Sequence, residues 1–123
     1  MPYELYKLIH FLGVFLILIV LAAACMHVLR GGTRADNPNR RAIGIIHGIA
    51  SFLILLGGFG MLARLGIMHG GLPGWIYAKL VIWLAASGSI ALVYRGPGLA
   101  RTLLISLPLL AVLAAYFALY KPF

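Results

Sequence analysis

Four long apolar stretches, parted by short connections rich in glycine, proline or basic residues, make up nearly the whole chain. Crossing ~30 Å of hydrocarbon takes about 20 apolar residues in a helix. Four segments reach that length, at about 3–29, 40–66, 74–94 and 98–120. The pattern predicts an all-α fold: one integral membrane domain over 1–123, an antiparallel bundle of four transmembrane helices. Short connections between successive spans force neighbours to run antiparallel.

The punctuation agrees with these spans. Pro2 suits a helix start, and Glu4 lies near the positive end of the first helix dipole. Asn37-Pro38 reads as an N-cap followed by a first-turn proline. Residues 66–73 form the second connection and 95–98 the third. Pro108 falls inside the fourth span and predicts a kink, because it removes one backbone hydrogen bond.

Composition strengthens the membrane reading: 63% of the 123 residues are hydrophobic, and the mean hydropathy is +1.06. The net charge of +8 comes from ten Lys and Arg against only Glu4 and Asp36. Most of these bases stand at the ends of apolar runs, where lipid head groups and insertion bias account for them. That placement argues against nucleic acid as a partner and for the lipid bilayer itself. The first and third connections carry Arg30, Arg34, Arg40, Arg41, Arg95 and Arg101, against Lys7, Arg64, Lys79 and Lys121 on the other side. The bias predicts connections one and three inside and both termini outside. Cys25, the lone cysteine, excludes an intrachain disulfide and a thiolate cluster. Leu21 to Cys25 faintly resembles a lipoprotein cleavage site, and reads better as the interior of an uncleaved helix.

Polar residues within the spans are costly, so they are the informative ones. They are His10, His27, His47, Ser51, Lys79, Ser87, Ser89 and Ser106. At 1.5 Å per residue, His10 lies about two turns from the outer end of the first helix and Lys79 just over one turn from the outer end of the third. They share a leaflet with Lys7, Arg64 and His69, beside Trp75 and Tyr77. No acidic residue is buried near this cluster, so an anion such as a phosphate or a porphyrin propionate would complete it. The plainer alternative has Lys79 snorkelling to the interface and His10 bonding a backbone carbonyl. Lys7 and Arg64 read chiefly as interfacial anchors.

Gly44, His47, Ser51 and Gly58 fall on one face of the second helix. Small and polar groups in lipid should face another helix, which leaves His47 either a ligand of haem iron or a cross-helix hydrogen-bonding group. His10 and His47 stand roughly 15 Å apart in depth at this rise, so one iron cannot be gripped by both. His27 reads as a residue of the inner boundary. Gly57-Gly58-Phe59-Gly60 lacks a preceding strand and a following Lys-Ser or Lys-Thr, which excludes a phosphate loop and favours tight helix packing. Residues 85–89 read the same way. Trp75, Tyr77, Tyr94, Tyr116 and Tyr120 suit interfacial belts.

Tyr6-Lys7-Leu8-Ile9-His10-Phe11 and Gly74-Trp75-Ile76-Tyr77-Ala78-Lys79-Leu80 resemble the openings of the first and third helices in the superfamily of SirB-like, HemJ-type (protoporphyrinogen oxidase) and CopD-like small membrane proteins. The resemblance covers about a dozen positions, and the second helix departs from the HemJ pattern. It implies a bacterial inner-membrane protein with haem b, His10 as the metal's axial ligand, and Lys79 as the functional partner. Cofactor binding would extend to His47 and Arg64. The function so implied is haem- or porphyrin-linked redox chemistry with a porphyrinogen or quinone. The competing expectation is a non-enzymatic accessory bundle that assembles as a homo-oligomer or with a partner. A transporter would need a buried carboxylate, and a hydrolase an acid partner. No span holds a buried carboxylate, and the only acids, Glu4 and Asp36, complete no Ser-His-acid set or carboxylate pair.

Overall fold

The computed structural model describes residues 2–66 and 71–121. Among them it contains four helices and no strand: α1 (Tyr3–Leu29), α2 (Arg40–Leu65), α3 (Gly74–Val93) and α4 (Pro97–Tyr120). Each is long and apolar enough to cross a membrane. Many large apolar side chains point outward, Leu8, Phe15, Ile19, Phe52, Val81 and Leu119 among them. A soluble monomer rarely exposes apolar surface on that scale, whereas lipid accepts it.

The outward faces leave a narrow seam inside, mostly apolar with a few buried polar groups. Buried positions on α1 are Gly13, Ile17, Val20, Leu21, Ala24, Cys25 and Val28, the i, i+4, i+7 spacing of one helical face. This face makes α1 the hub, touching the other three helices, while α2 and α4 do not touch among the described residues. The most extensive contact is α1 with α2. Tyr6 lies against Gly60, His10 against Gly57, and Gly13 against Ala50 and Ile54, in the order of an antiparallel pair. A Cβ at Gly57 would stand 2.6 Å from the His10 backbone nitrogen and 2.7 Å from the Tyr6 carbonyl oxygen. A Cβ at Gly13 would stand 2.8 Å from the Ala50 oxygen and the Ile54 nitrogen. Only glycine permits that backbone approach, and in lipid such packing replaces the missing hydrophobic drive. The packing expectation for 57–60 is therefore met.

Three expectations shift. Asn37 does not cap α2, which starts at Arg40 without a side-chain cap. Asn37 is buried instead: its Oδ1 accepts from the Asn39 N–H and its Nδ2 donates to Tyr94 Oη, which ties the first connection to the end of α3. Gly44 is exposed with open space around it, although His47 and Ser51 of the same proposed stripe are buried. Ala85 and Gly88 also face outward, while Ser89 is fully buried. Small residues thus lie on two faces of α2 and α3, and only one face is interior. Pro108 sits inside α4, which continues through it.

Gly57→Ala forces backbone apart at the tightest point of the bundle and should cost about 1–3 kcal/mol. Gly48→Ala, where no atom lies within 4 Å, should leave stability unchanged. Thermal unfolding of both variants in the same detergent checks the contrast.

Candidate functional site

α2 and α3 are the least closely packed of the contacting pairs. At one level they are laced together. His47 Nε2 donates to the Ala86 carbonyl oxygen (3.3 Å), and the Trp83 indole N–H donates to the Ser51 carbonyl oxygen (3.0 Å). Ser51 and Ser89 donate their hydroxyls to carbonyls of their own helices, those of His47 and Ala86. Toward the end that carries both termini the lacing stops and the helices leave a cavity of about 150 Å³. Its walls include Ile54, Gly58 and Leu62 of α2, and Trp75, Lys79 and Trp83 of α3. Tyr3 and His10 of α1 and Lys121 after α4 complete it. A smaller apolar cluster of Leu62, Trp75 and Ile76 packs beside it, apart from the main core.

His10 is held by one strong contact. Its Nδ1 lies 2.8 Å from the Ile54 carbonyl oxygen across the α1–α2 seam. A carbonyl only accepts, so Nδ1 carries the hydrogen, and in the neutral ring Nε2 keeps its lone pair. This is the arrangement by which a backbone carbonyl orients a metal-ligating histidine. Ile54 O is a helix carbonyl already within reach of the Gly58 N–H, and Gly58 lies beside the ring at ordinary contact distance. A Cβ there would come within 3.6 Å of His10 Nδ1.

His10 and Lys79, from different helices, line the same cavity. Both readings of His10 hold together: it bonds a backbone carbonyl through one nitrogen and keeps the other. His47 and Arg64 are not brought to this place. His47 is 4% exposed and spends Nε2 on Ala86 in the lacing between helices. Arg64 is exposed in the last turn of α2, where its charge complements the helix dipole. Lys7 is exposed and sits over the Tyr3 and Phe11 rings. His69 lies outside the described residues. Trp75, expected in the interfacial belt, is only 9% exposed and walls the cavity, whereas Tyr77, Tyr116 and Tyr120 do face outward.

Three participants escaped the sequence pattern. Trp83 lacks any interfacial signal. Lys121 resembles any snorkelling lysine after a span. The Ile54 carbonyl, being backbone, has no side-chain signature. Among the described residues no three His, Cys, Asp or Glu converge on a metal; His10 is the one histidine on the cavity, and Met61 also lines it.

At the opposite end, His27 Nε2 lies 2.8 Å from both Asp36 Oδ1 and the Thr33 carbonyl oxygen, and the Thr33 N–H donates to Asp36 Oδ1 (2.7 Å). These bonds fold the first connection back onto α1. The Thr33 N–H first, and His27 second, hold the Asp36 carboxyl below the usual carboxylate range.

No family model, curated protein or solved structure matches this chain.

A carboxyl whose folded value is depressed stabilises the fold above its ordinary value and loses that contribution as pH falls through the folded one. Wild type should therefore unfold at a higher temperature than Asp36→Asn at neutral pH. The gap should close below the ordinary value of 3.8. Parallel melts across pH test this, and a gap that persists in acid would contradict it.

Proposed function

We propose that this chain is a membrane redox protein whose cleft, between α2 and α3, takes haem b or another porphyrin beside His10 and Lys79. The observation that carries the reading is the pairing of an oriented imidazole, its Nε2 lone pair kept, with a lysine on one cavity between two apolar helices. An ionisable pair inside a span is a functional feature by default. His10 would be the axial ligand and the metal site. Lys79 would face the propionates or the reacting edge of a porphyrinogen. Haem supplies one-electron chemistry when bound, and the protein's share is ligation, orientation and electrostatics. Trp75 and Trp83 would provide flat apolar walls and keep water from the ring. Ile54, through its carbonyl, holds the proton on Nδ1 and so keeps Nε2 basic. His47 and Arg64 would act at a distance, His47 by fixing the α2–α3 spacing and Arg64 at the lipid interface.

The donor set fits haem; the volume sets a condition. A cavity near 150 Å³ accommodates about one benzene-sized ring. A macrocycle fits only if the loosely packed α2–α3 seam widens, whereas the ring of a quinone fits as the cavity stands. That volume favours quinone as the second reading, with Lys79 donating to a carbonyl oxygen and the isoprenoid tail in lipid. A purely structural accessory bundle, alone or as a homo-oligomer, accounts for the bond from His10 to the Ile54 carbonyl but gives Lys79 on the cavity no task. In either redox reading the protein belongs to a bacterial inner membrane with both termini outside, as the arginine bias of the connections supports.

Purified protein supplied with haem b should show a Soret band shifted from that of free haem, lost in His10→Ala and weakened in Lys79→Ala. Both tryptophans of the chain line the cavity, so a short-tailed quinone should quench intrinsic fluorescence saturably if the second reading holds. A protein that shows neither response is the accessory bundle.

A further inference from the structure

We infer that Lys121 is a second cation of the cavity and selects ligands that carry an anionic group at the mouth. The inference rests on the cleft being a ligand site, and adds which chemistry it admits.

Lys121 follows the last residue of α4 and lines the cavity together with Ala118. Its backbone has φ 46°, the only positive φ at a non-glycine residue among those described. That left-handed conformation is costly for a side-chain-bearing residue and marks a position held by its surroundings. Two contacts hold it. Its N–H donates to the Phe117 carbonyl oxygen (3.0 Å), which closes the helix, and its Nζ stands 5.5 Å from the centroid of the Trp75 ring. Trp75 is itself a wall of the cavity. Lys121 is exposed at the rim, and the cation–π contact keeps its ammonium beside the mouth of the cavity.

The cavity then presents two ammonium groups, Lys79 within and Lys121 at the rim, and a histidine that is neutral or cationic. Among the described residues no carboxylate lines it; Glu4, the sole acid in the first turn of α1, is exposed and not among its residues. An ammonium taken out of water without a counter-charge is expensive. A ligand with an apolar ring and one or two anionic oxygens at one end answers both halves of the site: the ring between Trp75 and Trp83, the anionic group between the two lysines. A carboxylated porphyrin and an anionic phospholipid share that chemistry.

The test uses tryptophan quenching of full-length protein in phosphatidylcholine nanodiscs, titrated with protoporphyrin IX and with its dimethyl ester. Wild type should bind the dicarboxylate more tightly. Lys121→Gln should weaken that binding roughly three- to tenfold and leave the ester unchanged, and Lys121→Arg should restore it. A structural role for Lys121 would shift both ligands together. Adding phosphatidylglycerol separates the two sources: competition against the dicarboxylate in wild type but not in Lys121→Gln assigns the site to lipid head groups, and no competition assigns it to the carboxylated ring. Equal affinity for acid and ester in wild type would overturn the inference and leave the cleft intact as a binding site. Absence of quenching by either would overturn the inference together with the porphyrin reading of the cleft, while saturable quenching by a short-tailed quinone in the same nanodiscs would keep the cleft as a ligand site. A His10→Ala variant that loses the Soret shift but keeps the preference for acid over ester would separate ligation from anion selection.

Discussion

The close approach of α1 and α2, backbone against backbone at Gly57 and Gly13, governs everything built on this bundle. Helices in lipid gain nothing from burying leucine against leucine, so they associate through tight van der Waals packing and interhelical hydrogen bonds. Here the glycines provide the first and thereby permit the second. With the helices this near, the ring of His10 reaches the Ile54 carbonyl at 2.8 Å. One side chain added to α2 at residue 57 would separate the backbones, and the imidazole would lose the partner that sets its tautomer.

The other helices are arranged around that pair less tightly. α1 contacts all three, yet α3 meets α2 only sparsely, through Trp83 to Ser51 and His47 to Ala86. Each of these bonds spends a side-chain donor on a backbone carbonyl that already serves its own helix. They fix the spacing at one depth and leave it free toward the termini. The cleft is the product of that uneven lacing: closed by His47 and Trp83 below, walled by tryptophans, and open where Lys121 stands. Its chemistry follows from which groups the sequence places at that height, a histidine and two lysines without an acid.

The architecture was legible because hydropathy over about 20 residues is a strong signal and bilayer thickness fixes the length it must have. The shared depth of His10 and Lys79 was legible too, since helical rise converts sequence offset into height. Facing was not. Arg64 shares the cavity's level, but it lies two residues from buried Leu62, about 200° around the helix, and points away. His47 was correctly placed in the interior, while its partner, a backbone oxygen on α3, leaves no trace in the residue pattern. The same holds for Ile54. Trp75 carries the interfacial signature and is nonetheless buried, because Lys121 and the apolar cluster with Leu62 and Ile76 cover it. Asn37 looks like a helix cap and instead reaches Tyr94, a contact 57 positions away that no local rule anticipates.

The central claim is that the fold holds His10 as an oriented imidazole, with hydrogen on Nδ1 and a lone pair on Nε2. Nitrogen-15 chemical shifts of the His10 ring, measured by solid-state NMR on labelled protein in bilayers without added cofactor, read this directly. The account predicts a protonated Nδ1 with a hydrogen-bonded shift and an unprotonated Nε2. A protonated Nε2 with a bare Nδ1, or two equivalent nitrogens exchanging freely, would contradict it.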